Sequence, residues 1–385
     1  MDTQDRQLRP GAGQICATEI AIVADDLTGA CDSGVAFVRV GLRVRVVLES
    51  LGGDFADVCH LEVRNGVLAF TTETRALPPQ QAEERVAACA AALRAELPSA
   101  ILFKKVDSAA RGHFGVEIGA ALRASGASLA LVAPAFQEAG RTVVAGVLRV
   151  RDWSGQDTAI SLRGLFSHEA ASAIEVLPTG PEQELEQGIA QALARGTRIL
   201  LCDATVHGDL ERLASAALRV RQPILWAGSA GLAHALADGL PVASPVGAPD
   251  HASRHGRTLL FAGTTHPVTS LQLSCLGGQR GERDRLIHRV PCDGASEKNI
   301  VAAFAERPVA GLILTGGDTA AFVLHALGAS SIVLEGEVSR GIPWGFVEGG
   351  IADGCTVVTK SGGFGHREAL VDAFEFCERI AYEPA

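Results

Sequence analysis

Short apolar runs alternate with Ala- and Leu-rich stretches of helical length along most of this chain, and that alternation constrains the fold more than any other feature. Ile20–Ala24, Val44–Leu48, Val67–Thr71, Ile101–Val106, Leu129–Ala133, Ile199–Cys202 and Ile224–Ala227 read as strands. Pro79–Leu97, Pro181–Ala194 and Asp209–Val220 read as helices between them. Strands interleaved with helices of this length form βαβ units and a mainly parallel sheet.

The alternation breaks once. Gly239 to Arg257 is rich in Pro, Gly, Ala and Ser and has no periodicity, which marks a linker. A second series follows: strand Thr258–Ala262, helix from Pro267, strand Leu286–Val290, helix from Ser296, strand Leu312–Thr315, helix from Thr319, strand Ile332–Leu334, and a last helix from about Arg367 to Ile380. The expected fold is α/β, with two α/β domains of mainly parallel sheet and the active site in the cleft between them. The boundaries expected are 19–240, linker 241–256, and 257–381. A chain of 385 residues is long enough for both.

Charge and cysteine usage narrow the classes. A net charge of -10 argues against nucleic-acid binding through a broad basic face, while leaving local anion sites open. Nine cysteines, an odd number without a Cys-x-x-Cys pair, fit buried thiols in a reducing cytoplasm better than a disulfide framework or zinc ribbon. Met1–Thr18 lacks the apolar centre of a secretory signal, and no apolar stretch reaches the length of a membrane span. No membrane partner is expected, and homo-oligomerisation is left open. Only four of the 34 basic residues are lysine (Lys104, Lys105, Lys298 and Lys360), which suggests that some are kept for chemistry rather than by codon bias.

The chemistry gathers where strands end. Ala24-Asp25-Asp26-Leu-Thr28-Gly29 places two carboxylates between a strand and a helix, where open α/β sheets collect ligands. They suit hydroxyl recognition, general-base work or metal binding; the plainer reading is a helix cap by Asp26 or Thr28. Phe103-Lys104-Lys105-Val-Asp107-Ser108-Ala-Ala-Arg111 follows another strand. It suits a substrate with a carboxylate for Arg111 and hydroxyls for Asp107 and Ser108, against the plainer reading of a surface ion-pair patch. Arg141 and Thr142 close a Pro- and Gly-bracketed loop, a weaker signal that a structured turn also explains.

The second series carries loops of another kind: Gly263-Thr264-Thr265-His266-Pro267, Thr315-Gly316-Gly317-Asp318-Thr319, and Lys360-Ser361-Gly362-Gly363-Phe364-Gly365. Small residues and hydroxyls at helix starts let backbone N–H groups reach phosphate oxygens. Neither the P-loop signature nor a dinucleotide Gly-x-Gly-x-x-Gly is present.

Together these segments resemble the four-carbon acid sugar kinases. The matching pieces are ADDLTGACD (24–32), KKVDSAARG (104–112), PAFQEAGRT (134–142), GGDTA (316–320) and KSGGFG (360–365), in the family's order, with 335–343 resembling the stretch between the last two. Two departures stand out: Ala109-Ala110 before Arg111 where the family has Thr-Leu, and Gly-Thr at 263–264 where it often has Gly-Ser.

The resemblance implies ATP- and magnesium-dependent phosphorylation of the terminal hydroxyl of a threonate-, erythronate- or 3-oxo-tetronate-like acid. It places nucleotide at Thr264, Gly316, Gly317, Asp318, Thr319, Lys360, Gly362 and Gly363. It places the acid at Lys104, Ser108, Arg111 and Arg141, with Asp25, Asp26 or Asp107 as the catalytic base. The magnesium ligands stay unassigned, with Asp318 the first candidate. Two other classes compete: a non-catalytic sugar-acid sensor, and a hydrolase or aldolase using Lys104 or Lys105 as a Schiff base.

Overall fold

The structure is a computed structural model, and it describes residues 19–48, 66–167, 173–241, 254–279, 286–289 and 294–382. The amino-terminal segment, most of the expected linker, and Cys16, Cys59 and Cys292 lie outside the described residues. The N-terminal half runs β1 (Ile20–Ala24), α1 (Leu27–Val38), β2 (Arg43–Val47), β3 (Gly66–Thr71), α2 (Pro79–Glu96), β4 (Ile101–Lys105), α3 (Phe114–Ser125) and β5 (Leu129–Ala133). It continues through β6 (Arg141–Val144), β7 (Val147–Arg151), β8 (Asp157–Ser161), β9 (Ile174–Leu177), α4 (Glu182–Arg195), β10 (Ile199–Cys202), α5 (His207–Leu218), β11 (Ile224–Gly228) and α6 (Ala230–Asp238). The C-terminal half is β12 (Arg257–Ala262), α7 (Pro267–Gln279), β13 (Leu286–Arg289), α8 (Gly294–Glu306), β14 (Val309–Thr315), α9 (Gly317–Ala326), β15 (Ser331–Ser339), β16 (Ile342–Glu348), β17 (Thr356–Lys360) and α10 (Ala369–Tyr382).

The fold is α/β, built as two α/β halves. Every residue of β1, β5, β11 and β14 is buried, as expected of parallel strands covered on both faces. The helices that cover them show the matching stripe: α4 buries Leu185, Ile189 and Ala192 and ends at Gly196 in the left-handed conformation. The six described cysteines form no disulfide, and all are buried except the half-buried Cys275.

The two halves share one sheet. Its fourteen strands run β13-β12-β14-β17-β16-β15-β2-β3-β1-β4-β11-β5-β10-β9. All pairings are parallel except β15–β16, β16–β17 and the seam β15–β2, where Ser331–Leu334 pairs antiparallel with Val44–Val47. A separate antiparallel sheet of β6, β7 and β8 was not foreseen from the apolar pattern, nor was β16.

Candidate functional site

In each half the chain leaves one strand to one side and returns on the other, so a crevice opens at the carboxyl ends of two neighbours. In the first half these are β1 and β4, in register so that Ala24 faces Lys105. In the second they are β12 and β14, with Ala262 facing Thr315. Of the residues singled out by sequence, Asp25, Asp26, Asp107, Ser108, Arg111, Thr264 and Gly316 to Thr319 follow these four strand ends, whereas Lys104 lies within β4, Arg141 opens β6, and Lys360, Gly362 and Gly363 come at the end of β17.

On the first side the carboxylates are tied together by an arginine that sequence reading missed. Asp26 is the N-cap of α1, with extended backbone, and its Oδ1 accepts from Gly29 N at 2.8 Å. Arg75, just beyond β3, donates from Nε to Asp25 Oδ2 (2.8 Å) and from Nη1 to Asp26 Oδ2 (2.7 Å), and its Nη2 lies 3.7 Å from Asp107 Oδ2. Burial disfavours the charged guanidinium, but Asp26, Asp25 and Asp107 outweigh it and hold Arg75 firmly protonated. Nothing in the local sequence around Arg75 signals this role; only the pairing of β3 with β1 brings it there.

Asp107 opens a tight turn. Its Oδ1 accepts from Ala109 N (2.9 Å) and Arg111 N (3.2 Å), while Ala110 sits in the left-handed region at φ 56°. Arg111 forms the expected two-pronged clamp, yet the carboxylate it holds is that of Asp107, with Nε–Oδ1 at 3.0 Å and Nη2–Oδ2 at 2.5 Å. Burial works to raise Asp107, but the hydrogen bonds and charge of Arg111, then Arg75 and Lys105, keep its carboxyl well below the usual carboxylate range.

The lysine expected to touch the acid has to be corrected. Lys104 is fully buried on the opposite face of β4 and pairs with Glu117 of α3 at 2.8 Å. Side chains alternate along a strand, so its neighbour Lys105 faces the crevice instead. The Lys105 carbonyl accepts from Lys104 Nζ (2.7 Å), but its own ammonium has no hydrogen bond or ion pair among the described residues. Ser108 and Arg141 also reach the crevice, and Arg141 has a buried Nε without a partner.

The second side is built from backbone. Gly316, at φ 101°, lies against Thr264, and a Cβ on Gly362 would stand 2.6 Å from Thr264 Oγ1. Gly316 precedes α9 without any side-chain cap, leaving the first-turn N–H groups free of a capping side chain; Asp318 there is exposed and Thr319 buried. Lys360 is fully buried, and its Nζ donates to the carbonyls of Ser361 (2.9 Å) and Phe364 (3.3 Å) and to Thr269 Oγ1 (3.2 Å). It therefore anchors the glycine loop from within, and burial brings its ammonium down to about 7.

The two sides meet. A Cβ on Gly317 would fall 2.2 Å from Asp26 Oδ2, so the backbone that starts α9 rests directly on the first-side carboxylate. Around this junction lies a cavity of about 200 Å³ that reaches from Asp26, Lys105 and Arg111 to His266, Ser361 and Gly363. A second cavity of about 400 Å³ adjoins it, lined by Trp153, Arg340 and His366 among others. The rings of Phe136 and Phe364 (5.9 Å) and the pair Glu138–Arg340 (3.5 Å) bridge the halves at the mouth. The small β6–β8 sheet brings Arg141, Val150 and Asp152 to the inner cavity.

Comparison with known proteins finds relatives for both halves of the chain. A family described as the sugar-binding N-terminal domain matches residues 20–236, and one described as the nucleotide-binding C-terminal domain matches 294–370. The chain is 35% identical to a D-threonate kinase of Bordetella bronchiseptica, covering 92% of this chain and 96% of that one. It is 30% identical to a D-threonate kinase of Cupriavidus necator (92% and 97%) and 24% identical to a D-erythronate kinase of Heliobacterium modesticaldum (93% and 97%). Among solved structures, one from Salmonella typhimurium superposes with a TM-score of 0.66 at 19% identity over 92% of this chain and 98% of that one, a likeness of fold. Among the described residues no helix is long and apolar enough to cross a membrane.

Proposed function

The chain belongs to the four-carbon acid sugar kinase family and is a sugar-acid kinase; from that premise we propose that it transfers the γ-phosphoryl group of ATP to the terminal hydroxyl of D-threonate or a closely related four-carbon acid. Kinase membership sets aside the sensor and Schiff-base readings. In the proposal, residues 19–240 hold the acid, 257–381 hold the nucleotide, and 241–256 connect them. The observation that carries it is the contact of Gly317 with Asp26, which puts a phosphate-type loop and a polyol-type carboxylate at one small cavity.

Two cations, Lys105 and Arg141, face that cavity without an ion pair among the described residues, and they receive the substrate carboxylate. Arg75 and Arg111 are committed to Asp25, Asp26 and Asp107, so they fix the orientation of those carboxylates. Asp26, Asp107 and Ser108 then accept or exchange hydrogen bonds with the acid's hydroxyls. Held this way, the terminal hydroxyl points toward Gly317 and Gly363, whose backbone N–H groups cradle the triphosphate with the hydroxyls of Thr264 and Thr319, while the Gly316 N–H is spent on the Lys360 carbonyl (2.9 Å) and Gly316 serves by its lack of a side chain. Phosphoryl transfer asks mainly for in-line placement and charge neutralisation. Asp318, an exposed carboxylate in the first turn of α9, would hold a magnesium ion accompanying the phosphates, which would supply charge neutralisation.

The test is ADP release measured over a panel of D- and L-threonate, D-erythronate, 3-oxo-tetronates and hydroxy acids one carbon longer or shorter. Turnover with D-threonate above the rest is expected. Activity confined to acids of another length would overturn the substrate assignment, and no ADP release with any would overturn the reading.

A further inference from the structure

The transfer needs a group that takes the proton of the attacking hydroxyl, and the three carboxylates that sequence brings forward are already engaged. Asp26 accepts from Gly29 N, Thr28 Oγ1 and Arg75. Asp107 is held by Arg111 and two backbone N–H groups. Asp25 takes Arg75 on Oδ2, and although its Oδ1 lacks a partner it does not line the cavity.

A fourth carboxylate is in a different state. Asp32, on α1, is 6% exposed and lines the same cavity as Asp26, Lys105 and Arg111. Its Oδ1 is buried with no hydrogen-bond partner, and it forms no ion pair within 4 Å among the described residues. It lies where the two halves meet: a Cβ on Gly341, at φ 77°, would be 3.8 Å from Asp32 Oδ1. An unpaired buried carboxylate is costly to a fold, and a bound hydroxyl is the partner that would satisfy it.

Resting on the kinase reading above, we propose that Asp32 is the general base of the reaction. Its carboxylate takes the proton as the substrate's terminal oxygen bonds to the γ-phosphorus of the nucleoside triphosphate. The bond from that phosphorus to the β–γ bridging oxygen breaks, the nucleoside diphosphate leaves with those electrons, and the proton passes from Asp32 to water once the products depart. The groups facing Asp32 are Lys105 at the end of β4, Glu337 on β15, Asp26 at the cap of α1 and Arg340 in the β15–β16 turn. Burial raises the Asp32 carboxyl to about 7; Lys105 opposes this and Glu337 adds to it. Such a value suits proton transfer at neutral pH.

Asp32→Asn keeps the shape and removes the base. Its kcat should fall about 10²- to 10⁴-fold with the acid's KM changed less than about threefold, and the acid limb of the wild-type kcat profile should vanish. Wild-type turnover with Asp32→Asn within about threefold of it from pH 5.5 to 8.5 overturns the base and leaves the kinase reading standing. Absence of turnover by the wild-type chain across the acid panel overturns both. If Asp32→Asn melts more than about 10 °C early, the wild type decides alone. An acid limb in kcat with a midpoint near 7 supports Asp32, and a flat profile refutes it.

Discussion

The two crevices of this sheet solve recognition with opposite materials. At β1 and β4 the work falls to side chains: Arg75 joins three carboxylates and Arg111 clamps one of them. At β12 and β14 it falls to the main chain, through glycines packed so closely that a Cβ would collide, with the buried cation Lys360 spent inside its own loop. The difference follows from the ligands proposed for each side. A small polyol acid is told from its isomers by where hydroxyls point, which directional side chains can read. A triphosphate offers many equivalent oxygens, and an open row of N–H groups suffices.

The comparison is broken most severely at Arg75. Arg75→Met leaves Asp25, Asp26 and Asp107 facing each other in a buried site, and loss of one partner from such a network costs about 3–5 kcal/mol. Chemical denaturation should show a loss of that size, together with loss of measurable turnover. Gly317→Ala tests the other material. Because Arg75 and the α1 cap hold Asp26 in place, the new methyl has no room, and displacement of about 1 Å should cost about 10²-fold in kcat/KM. Steady-state kinetics that match the wild type would disprove the contact.

Lys105→Met and Lys104→Met form a sharper pair. The first should raise the acid's KM about 10- to 100-fold, the worth of a charged hydrogen bond, with little change in melting temperature. The second should leave KM alone and lower stability, since buried Glu117 loses its cationic partner and keeps only the hydroxyl of Thr74. The opposite assignment of effects would restore Lys104 to the site. The last test falls on Lys360. Its folded value of about 7 lies below the 10.5 of a free lysine, so the unfolded chain binds more protons between these limits and stability rises as pH climbs from 7 toward 10.5. The buried thiols of Cys31, Cys202, Cys355 and Cys377, raised by burial, pull stability the other way above about pH 9, so the test is the difference: the melting temperature of the wild type minus that of Lys360→Met should rise across that window.

Much of this was legible because each strand of the parallel core is an uninterrupted apolar run with a polar end. Ile20–Ala24, Leu129–Ala133 and Ile199–Cys202 match the structure residue for residue. The small antiparallel sheet escaped because Arg141–Val144 and Val147–Arg151 mix charge with apolar residues and turn at Ala145-Gly146, both with positive φ. At the site, motifs pointed to Asp26, Asp107 and Arg111 since these follow strands directly. Arg75 follows a strand too, but its partners Asp25 and Asp26 come from the link between β1 and α1, 50 and 49 positions earlier. The choice between Lys104 and Lys105 depended on which face of β4 looks into the crevice, and single-sequence spacing does not fix that phase. Asp32 lay inside a recognised motif, but its isolation from other polar groups is a property of packing.

The seam between β2 and β15 has a consequence for how the molecule holds together. Four residue pairs make the sheet continuous, so each half supplies the strand that covers the other's open backbone edge. Severing the connecting stretch would leave the halves still stitched by that ladder, whereas making either half alone would bare a row of unsatisfied amides and carbonyls, the kind of surface that recruits stray strands. Catalytic communication and solubility would then depend on the same few hydrogen bonds.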